Sequence, residues 1–197
     1  MKQIITISRE FGSGGHAIGE EVAKRLGIPF YDSQILERIA EKTGFSKEFI
    51  EKQGEYSPSG SLFSYGFVGR DAAGSSLSDK IYAVQEKCIL ELAQKESFVI
   101  IGRCADHILR ECEEARHVFI YGNPEEKQKR IEKIYEKTPK QAQRMMQQMD
   151  KKRRLHYNYY TEQEWGNRKN YTMTLNSSVL GYEKCIQLIM AMVNSEK

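Results

Sequence analysis

The stretch Ile4-Ile5-Thr6-Ile7-Ser8-Arg9-Glu10-Phe11-Gly12-Ser13-Gly14-Gly15-His16-Ala17-Ile18-Gly19 decides the fold, because a β-branched run passes through a glycine-rich turn into an amphipathic helix. Ile4 to Ile7 read as a buried strand, and Ile18, Val22 and Leu26 recur at helical i, i+4 spacing. Gly12, Gly14 and Gly15 permit the positive φ angles of a tight turn. A helix that starts there points its free N–H groups and its positive dipole end back at the turn, where an anion can sit. Gly12, Ser13, Gly14, Gly15, His16 and Ala17 therefore form a candidate phosphate cradle.

The cradle lacks its usual cation. Phosphate-binding loops commonly read Gly-x-x-x-x-Gly-Lys-Ser/Thr. Here Arg9 stands at the first glycine, Gly15 replaces the lysine, and the hydroxyl that would help hold Mg²⁺ falls at about Ala17. A dinucleotide fingerprint, Gly-x-Gly-x-x-Gly, fits less well: its third glycine is missing, and the only acidic partner is Asp32 at the end of the second strand. The bland alternative is a tight strand-to-helix connection with no ligand at all.

The chain has 197 residues, 40% of them hydrophobic, enough for one core. No run approaches the about 18 apolar residues of a membrane span, and the N-terminal residues lack a signal-peptide pattern. A cytoplasmic protein with no membrane partner is expected. Cys88, Cys104, Cys112 and Cys185 show no CxxC pair and no zinc spacing, so no metal site is expected from them. A net charge of +3 does not mark a nucleic-acid binder, although Lys151-Lys152-Arg153-Arg154 concentrates positive charge that suits small anions.

Apolar strands at Ile4–Ile7, Pro29–Tyr31, Phe98–Ile101, Val118–Tyr121 and Tyr171–Leu175 alternate with longer helical patterns. That alternation predicts an α/β fold, a parallel sheet of about five strands with helices on both faces. Asn123-Pro124-Glu125-Glu126 reads as a helix start with an asparagine cap, and Thr138-Pro139-Lys140-Gln141 as a capping box. The last helix, from about Gly181, is expected to bury Tyr182, Cys185, Ile186, Ile189 and Val193. Residues from about Gln53 to Ser78 read as a Ser/Gly-rich loop carrying aromatics that could order over a ligand. On the helix from Pro139, Asp150 and Arg154 stand at i, i+4, the spacing of a solvated ion pair.

Taken in order, Ile-Ser-Arg-Glu-Phe-Gly-Ser-Gly-Gly (7 to 15), Pro-Phe-Tyr-Asp-Ser (29 to 33), Ile-Gly-Arg-Cys-Ala-Asp (101 to 106), Asp-Lys-Lys-Arg-Arg (150 to 154), Tyr-Asn-Tyr-Tyr-Thr (157 to 161) and Leu-Asn-Ser-Ser (175 to 178) resemble the cytidylate-kinase-like family of P-loop nucleoside monophosphate kinases. The resemblance covers nearly the whole chain. It implies a three-layer P-loop kinase fold in one domain, 1-197, with an acceptor-binding insert at about 33-80 and a helical lid at about 138-168. It further implies ATP and Mg²⁺ as cofactors, a small nucleotide acceptor such as CMP or dCMP, and leaves a homodimer open.

Residue by residue, the resemblance gives Asp32, Ser33 and Arg38 to the acceptor, with Arg38 gripping its phosphate. Arg103 matches the arginine of the family's Gly-Arg-Asp element. Cys104 stands where the family's cytosine-reading aspartate belongs, and a thiol cannot reproduce that hydrogen-bond pattern, so Asp106 either takes over or caps a helix. Arg153 and Arg154 match the lid arginines that neutralise the transferred phosphoryl group. The stretch 162 to 170 looks inserted relative to a typical lid, and Asn176 and Ser177 match an Asp-Ser near the donor adenine.

With no P-loop lysine, the replacement charge is expected from Arg9, His16, Arg153 or Arg154. Three functions compete: a phosphotransferase; a nucleotide-binding regulator that has lost turnover, which Gly15 and Ala17 favour; and a nucleic-acid surface built on the basic helix with Tyr157, Tyr159 and Tyr160. The last is the weakest, since tyrosines at that spacing are more often core.

Overall fold

The computed structural model describes residues 2–32, 35, 40–41, 44 and 77–194. Its elements are β1 (Ile4–Arg9), α1 (Gly15–Leu26), β2 (Phe30–Tyr31), α2 (Leu77–Lys95), β3 (Phe98–Ile101), α3 (Ala105–Ile108), β4 (Ala115–Tyr121), α4 (Pro124–Tyr135), α5 (Pro139–Thr161), β5 (Met173–Asn176) and α6 (Ser177–Asn194), with a 3₁₀ turn at Arg168–Asn170. The sheet is parallel throughout and ordered β2-β3-β1-β4-β5. β1 thus lies at the centre; the connection leaving it runs toward β2 on one side and the one leaving its neighbour β4 runs toward β5 on the other, so a ligand crevice is expected beyond the carboxyl ends of these two strands. The predicted Ser33, Arg38 and most of the Ser/Gly-rich loop lie outside the described residues.

Alternation along β1 builds both layers. Ile4 joins Phe98, Ile100 and Ala115 under α2 and α3, while Ile5 and Ile7 join Val99, Ile101, Val118 and Ile120 under α1 and α6. Ile4, Ile5 and Ile7 are wholly buried, each worth about 2–3 kcal/mol relative to exposure, which is why a six-residue strand anchors the fold. A third cluster, Phe11, Ile131, Ala142, Met146 and Met149, packs the loop after β1 against α4 and α5.

Thr138 forms the expected capping box with Gln141, and α5 runs unbroken to Thr161. Asn123 does not cap α4 with its side chain; its Oδ1 accepts from Asn176 Nδ2 at 3.1 Å. β4 begins three residues before the expected Val118, because Ala115 to His117 pair in register with Ile4 to Thr6. α6 starts at Ser177 and is interrupted by Gly181 at φ 73°, where the sequence pattern places the start. Cys185, Ile186 and Ile189 are buried as expected, and Tyr182 and Val193 are partly so.

Candidate active site

Gly12 and Gly14 take φ angles of 80° and 78°, and Gly14 immediately precedes α1. A Cβ on Gly14 would overlap the Tyr182 ring, and one on Gly15 would come within 2.6 Å of Arg9 Cβ. The loop is pinned from several directions. Ser13 Oγ donates to Glu10 O at 2.8 Å, Ser177 Oγ to Ser13 O at 2.6 Å, and Arg130 Nη1 to Gly12 O at 3.1 Å. Phe11 N donates to Asp150 Oδ1 at 2.6 Å, so α5 is docked directly on the loop. No acidic residue occupies the first turn of α1, so its positive end is left for an outside anion.

Above the loop lies a cavity of ≈ 410 Å³. Its walls include Gly12, Gly14, Gly15, Ala17 and three arginines, Arg9, Arg130 and Arg153. Arg9 and Arg153 are each 5% exposed. Arg153 Nη1 donates to Arg9 O at 3.0 Å, lies 3.9 Å from Asp150 Oδ1, and its guanidinium sits 5.6 Å from the Phe11 ring centroid. Arg130 covers the Tyr182 ring at 4.4 Å.

Arg154 faces elsewhere, its guanidinium 5.9 Å from the Trp165 ring centroid. The anticipated Asp150–Arg154 pair does not form. Asp150 instead serves Phe11 N and Lys127, whose Nζ lies 3.4 Å from it and 2.8 Å from Glu10 Oε2. Burial pushes the Asp150 carboxyl above its ordinary value against the pull of the Phe11 N–H and of Lys127. Lys127, itself buried, braces the loop from behind rather than lining the cavity.

Counted strictly along Gly-x-x-x-x-Gly-Lys-Ser/Thr, the hydroxyl position is His16, not Ala17. His16 Nε2 lies 3.1 Å from Asp32 Oδ2, at the cavity rim. That hydrogen bond raises the imidazole above its ordinary pKa. For Asp32, burial raises the carboxyl, but His16, Arg9 and Arg103 together outweigh it and the net direction is downward. A carboxylate held ionised beside a cationic loop is the one acidic cavity wall apart from Glu10. No group of three metal-ligating side chains exists among the described residues.

At the end of β3, Gly102, Arg103 and Cys104 take φ angles of 64°, 61° and 53°, three successive left-handed residues. Two are not glycine, at a cost of about 1–2 kcal/mol each. The turn is held by Gln85, whose Nε2 donates to Arg103 O at 3.0 Å, both residues buried. Asp106 does not cap α3. It is buried and accepts from Ser8 Oγ at 3.2 Å and Tyr157 OH at 2.7 Å. Burial beside Asp106 pushes the Tyr157 phenol far up, so it stays a donor. Asn176 and Ser177 are spent on Asn123 and on the carbonyls of Ser13 and Tyr121.

Sequence reasoning missed Arg130, Lys127 and Tyr182. The signal was present in α4, where Lys127, Arg130, Ile131 and Ile134 recur at i, i+3, i+4 and i+7, one helix face.

A central parallel strand ending in a glycine loop, with the buried Arg153 of a long helix docked on it, defines a P-loop kinase fold. Solved structures agree: the chain is similar to an uncharacterized protein from Eubacterium ventriosum ATCC 27560 (28% identity, 99% of this chain and 100% of that one, TM-score 0.78). It is also similar in fold to a shikimate kinase from Bacteroides thetaiotaomicron (16%, 98% and 99%, TM-score 0.54) and to a gluconokinase from Sinorhizobium meliloti 1021 (17%, 97% and 91%, TM-score 0.55). The chain belongs to the cytidylate kinase-like family, whose model matches residues 4–179. Comparison with curated proteins gives no match.

Proposed function

We propose that this protein is a phosphotransferase that moves the γ-phosphoryl group of ATP to a nucleoside monophosphate or an acceptor of similar size. The observation that carries the reading is the convergence of Arg9, Arg130 and Arg153 on a cradle that has lost its lysine. Phosphoryl transfer needs positioning and positive charge more than covalent chemistry, and an arginine supplies permanent charge with planar donors. Family membership supports a nucleotide or small-molecule kinase, and Mg²⁺ accompanies ATP in such enzymes. Here it would arrive on the phosphates, with Asp32 the carboxylate able to meet its water shell; Ser13 Oγ is turned back onto Glu10 O.

In this reading the α1 N-terminus and loop N–H groups hold the β-phosphate, while Arg153 and Arg9 offset charge on the group in transfer. Asp32, Ser33, Arg38 and Arg103 form the acceptor side, residues 138-168 act as the lid, and the 197 residues work as one cytoplasmic domain. Asp106 is buried and accepts from Ser8 Oγ and Tyr157 OH, which favours a bracing role for it over cytosine reading, and with Cys104 at the family's aspartate position CMP has no special claim among acceptors. No helix among the described residues is long and apolar enough to cross a membrane.

The test is ADP formation from ATP and Mg²⁺ against CMP, UMP, dCMP, AMP, GMP and no acceptor, with ATP affinity measured alongside. Turnover should fall about 10²- to 10³-fold in Arg153→Ala and in Arg9→Ala. ATP binding without turnover for any acceptor would favour a nucleotide-binding regulator, the reading that Gly15 at the lysine position supports. Neither binding nor turnover would make the glycine turn a mere connection.

A further inference from the structure

The sheet carries a second cavity, of ≈ 340 Å³, at the carboxyl ends of β4 and β5. It is lined by Phe119 and Thr174, register partners on the sheet. Phe119 alternates with Val118 and Ile120, which face α1 and α6, so this cavity opens on the other face of the sheet. Part of its wall is Trp165, Gly166 and Arg168, from the stretch 162 to 170. That wall is built, not casual: Trp165 N bonds Asn158 Oδ1 at 2.9 Å, Asn170 Nδ2 bonds Glu164 O at 3.1 Å, and Gly166 at φ 81° lets the backbone lie where a Cβ would come 3.2 Å from Phe119.

Two arginines line this space, Arg154 and Arg168, both exposed. Neither makes an ion pair among the described residues. The single acidic wall, Glu10, has its charge taken up by Lys127 at 2.8 Å. The cavity is therefore net positive while its floor is aromatic, with Phe119 and Trp165 edge-to-face at 5.4 Å and Tyr121 37% exposed beside them. Its volume is at the small end of ligand sites, which limits an occupant to about mononucleotide size.

We propose that this cavity is a second ligand site, separate from the glycine cradle, for a nucleoside monophosphate: phosphate at Arg154 and Arg168, base against the Tyr121 side. Paired arginines suit a dianionic phosphate, and an aromatic face suits a planar base. This explains why Arg154 is turned away from the cradle that Arg153 serves. The inference is independent of turnover, because binding here needs no ATP.

The chain has one tryptophan, Trp165, in the wall of the site, so its emission reports occupancy directly. AMP is titrated with no ATP present, beside adenosine and inorganic phosphate, correcting for nucleotide absorption. Wild type should give a saturable change with AMP, displaced by inorganic phosphate and about tenfold or more weaker with adenosine. Arg154→Ala/Arg168→Ala should weaken AMP by about tenfold or more, as should Thr174→Phe, which fills the cavity from an exposed strand position and guards against misfolding of the double variant. Arg9→Ala should leave the AMP titration within about twofold, since its side chain lines the cradle cavity and not this one. A signal that survives the double variant and Thr174→Phe, that vanishes with Arg9→Ala, or that never saturates overturns the proposal, whatever the ATP assay shows.

Discussion

Two strand-to-helix turns stand side by side at the carboxyl edge of the sheet, and they solve the same problem differently. After β1, the left-handed positions fall on Gly12 and Gly14. After β3, they fall on Gly102 and then on Arg103 and Cys104, which have side chains to strain. The first turn is therefore relaxed in its backbone and held by packing from above. The second is held against its preference by Gln85 and by the Ser8–Asp106–Tyr157 hydrogen bonds next to it. The strained turn carries the buried Arg103 itself, so its backbone conformation fixes where that side chain starts.

The sharpest way to break the first turn is Gly14→Ala. The added methyl overlaps the Tyr182 ring at a positive φ, and denaturant unfolding should show a loss of about 2–4 kcal/mol together with loss of ATP binding. Unchanged stability would mean that the cradle relaxes freely. For the second turn, Gln85→Leu leaves the buried Arg103 carbonyl without its donor and should cost about 1–3 kcal/mol. Tyr157→Phe should cost a similar amount through Asp106, while a nearly neutral result in both would show that the β3 turn does not depend on these braces.

The smallest effect concerns pH. His16 is raised by Asp32, so its pairing adds stability that is fully present below about 6.5 and lost as pH rises through the higher folded value. His16→Asn should flatten that segment of a stability-against-pH curve. His117 gives the opposite sign: burial pushes it down to about 4, so stability present above about 6.5 is lost as pH falls toward 4. A His16→Asn curve that changes on the acid side instead would show that the two histidines had been assigned the wrong way round.

Much of the architecture was legible because it depends on local pattern. Ile4 to Ile7, Phe98 to Ile101 and the Thr138 capping box need only β-branched runs and a hydroxyl three residues before a glutamine. The cradle was legible from its glycines. Less visible was anything decided by partners distant in sequence. Asp150 and Arg154 have the spacing of a pair, but Phe11 N and Lys127 claim the carboxylate across 139 and 23 residues. Asn123 looks like a cap until Asn176 takes its oxygen. Asp106 reads in sequence as a base reader or a cap; it does not cap α3, and Ser8 and Tyr157, both far away in sequence, meet its carboxylate between β1 and α5. Arg153 and Arg154 are adjacent in the chain, so on a helix they leave it about 100° apart, and Arg153 lines the cavity above the loop while Arg154 lines the one beside Trp165.

The 23-residue α5 grips the end of β1 and its loop at two points three positions apart, Asp150 on Phe11 N and Arg153 on Arg9 O. Those 23 residues form a rod of roughly 35 Å, clamped a little past its middle. The helix is also tied beyond that clamp, through Ala142 and Met146 on one side and the Tyr157–Asp106 bond on the other, so the loop, the sheet edge and the rod form one braced frame in which a strain on any member is shared by all three.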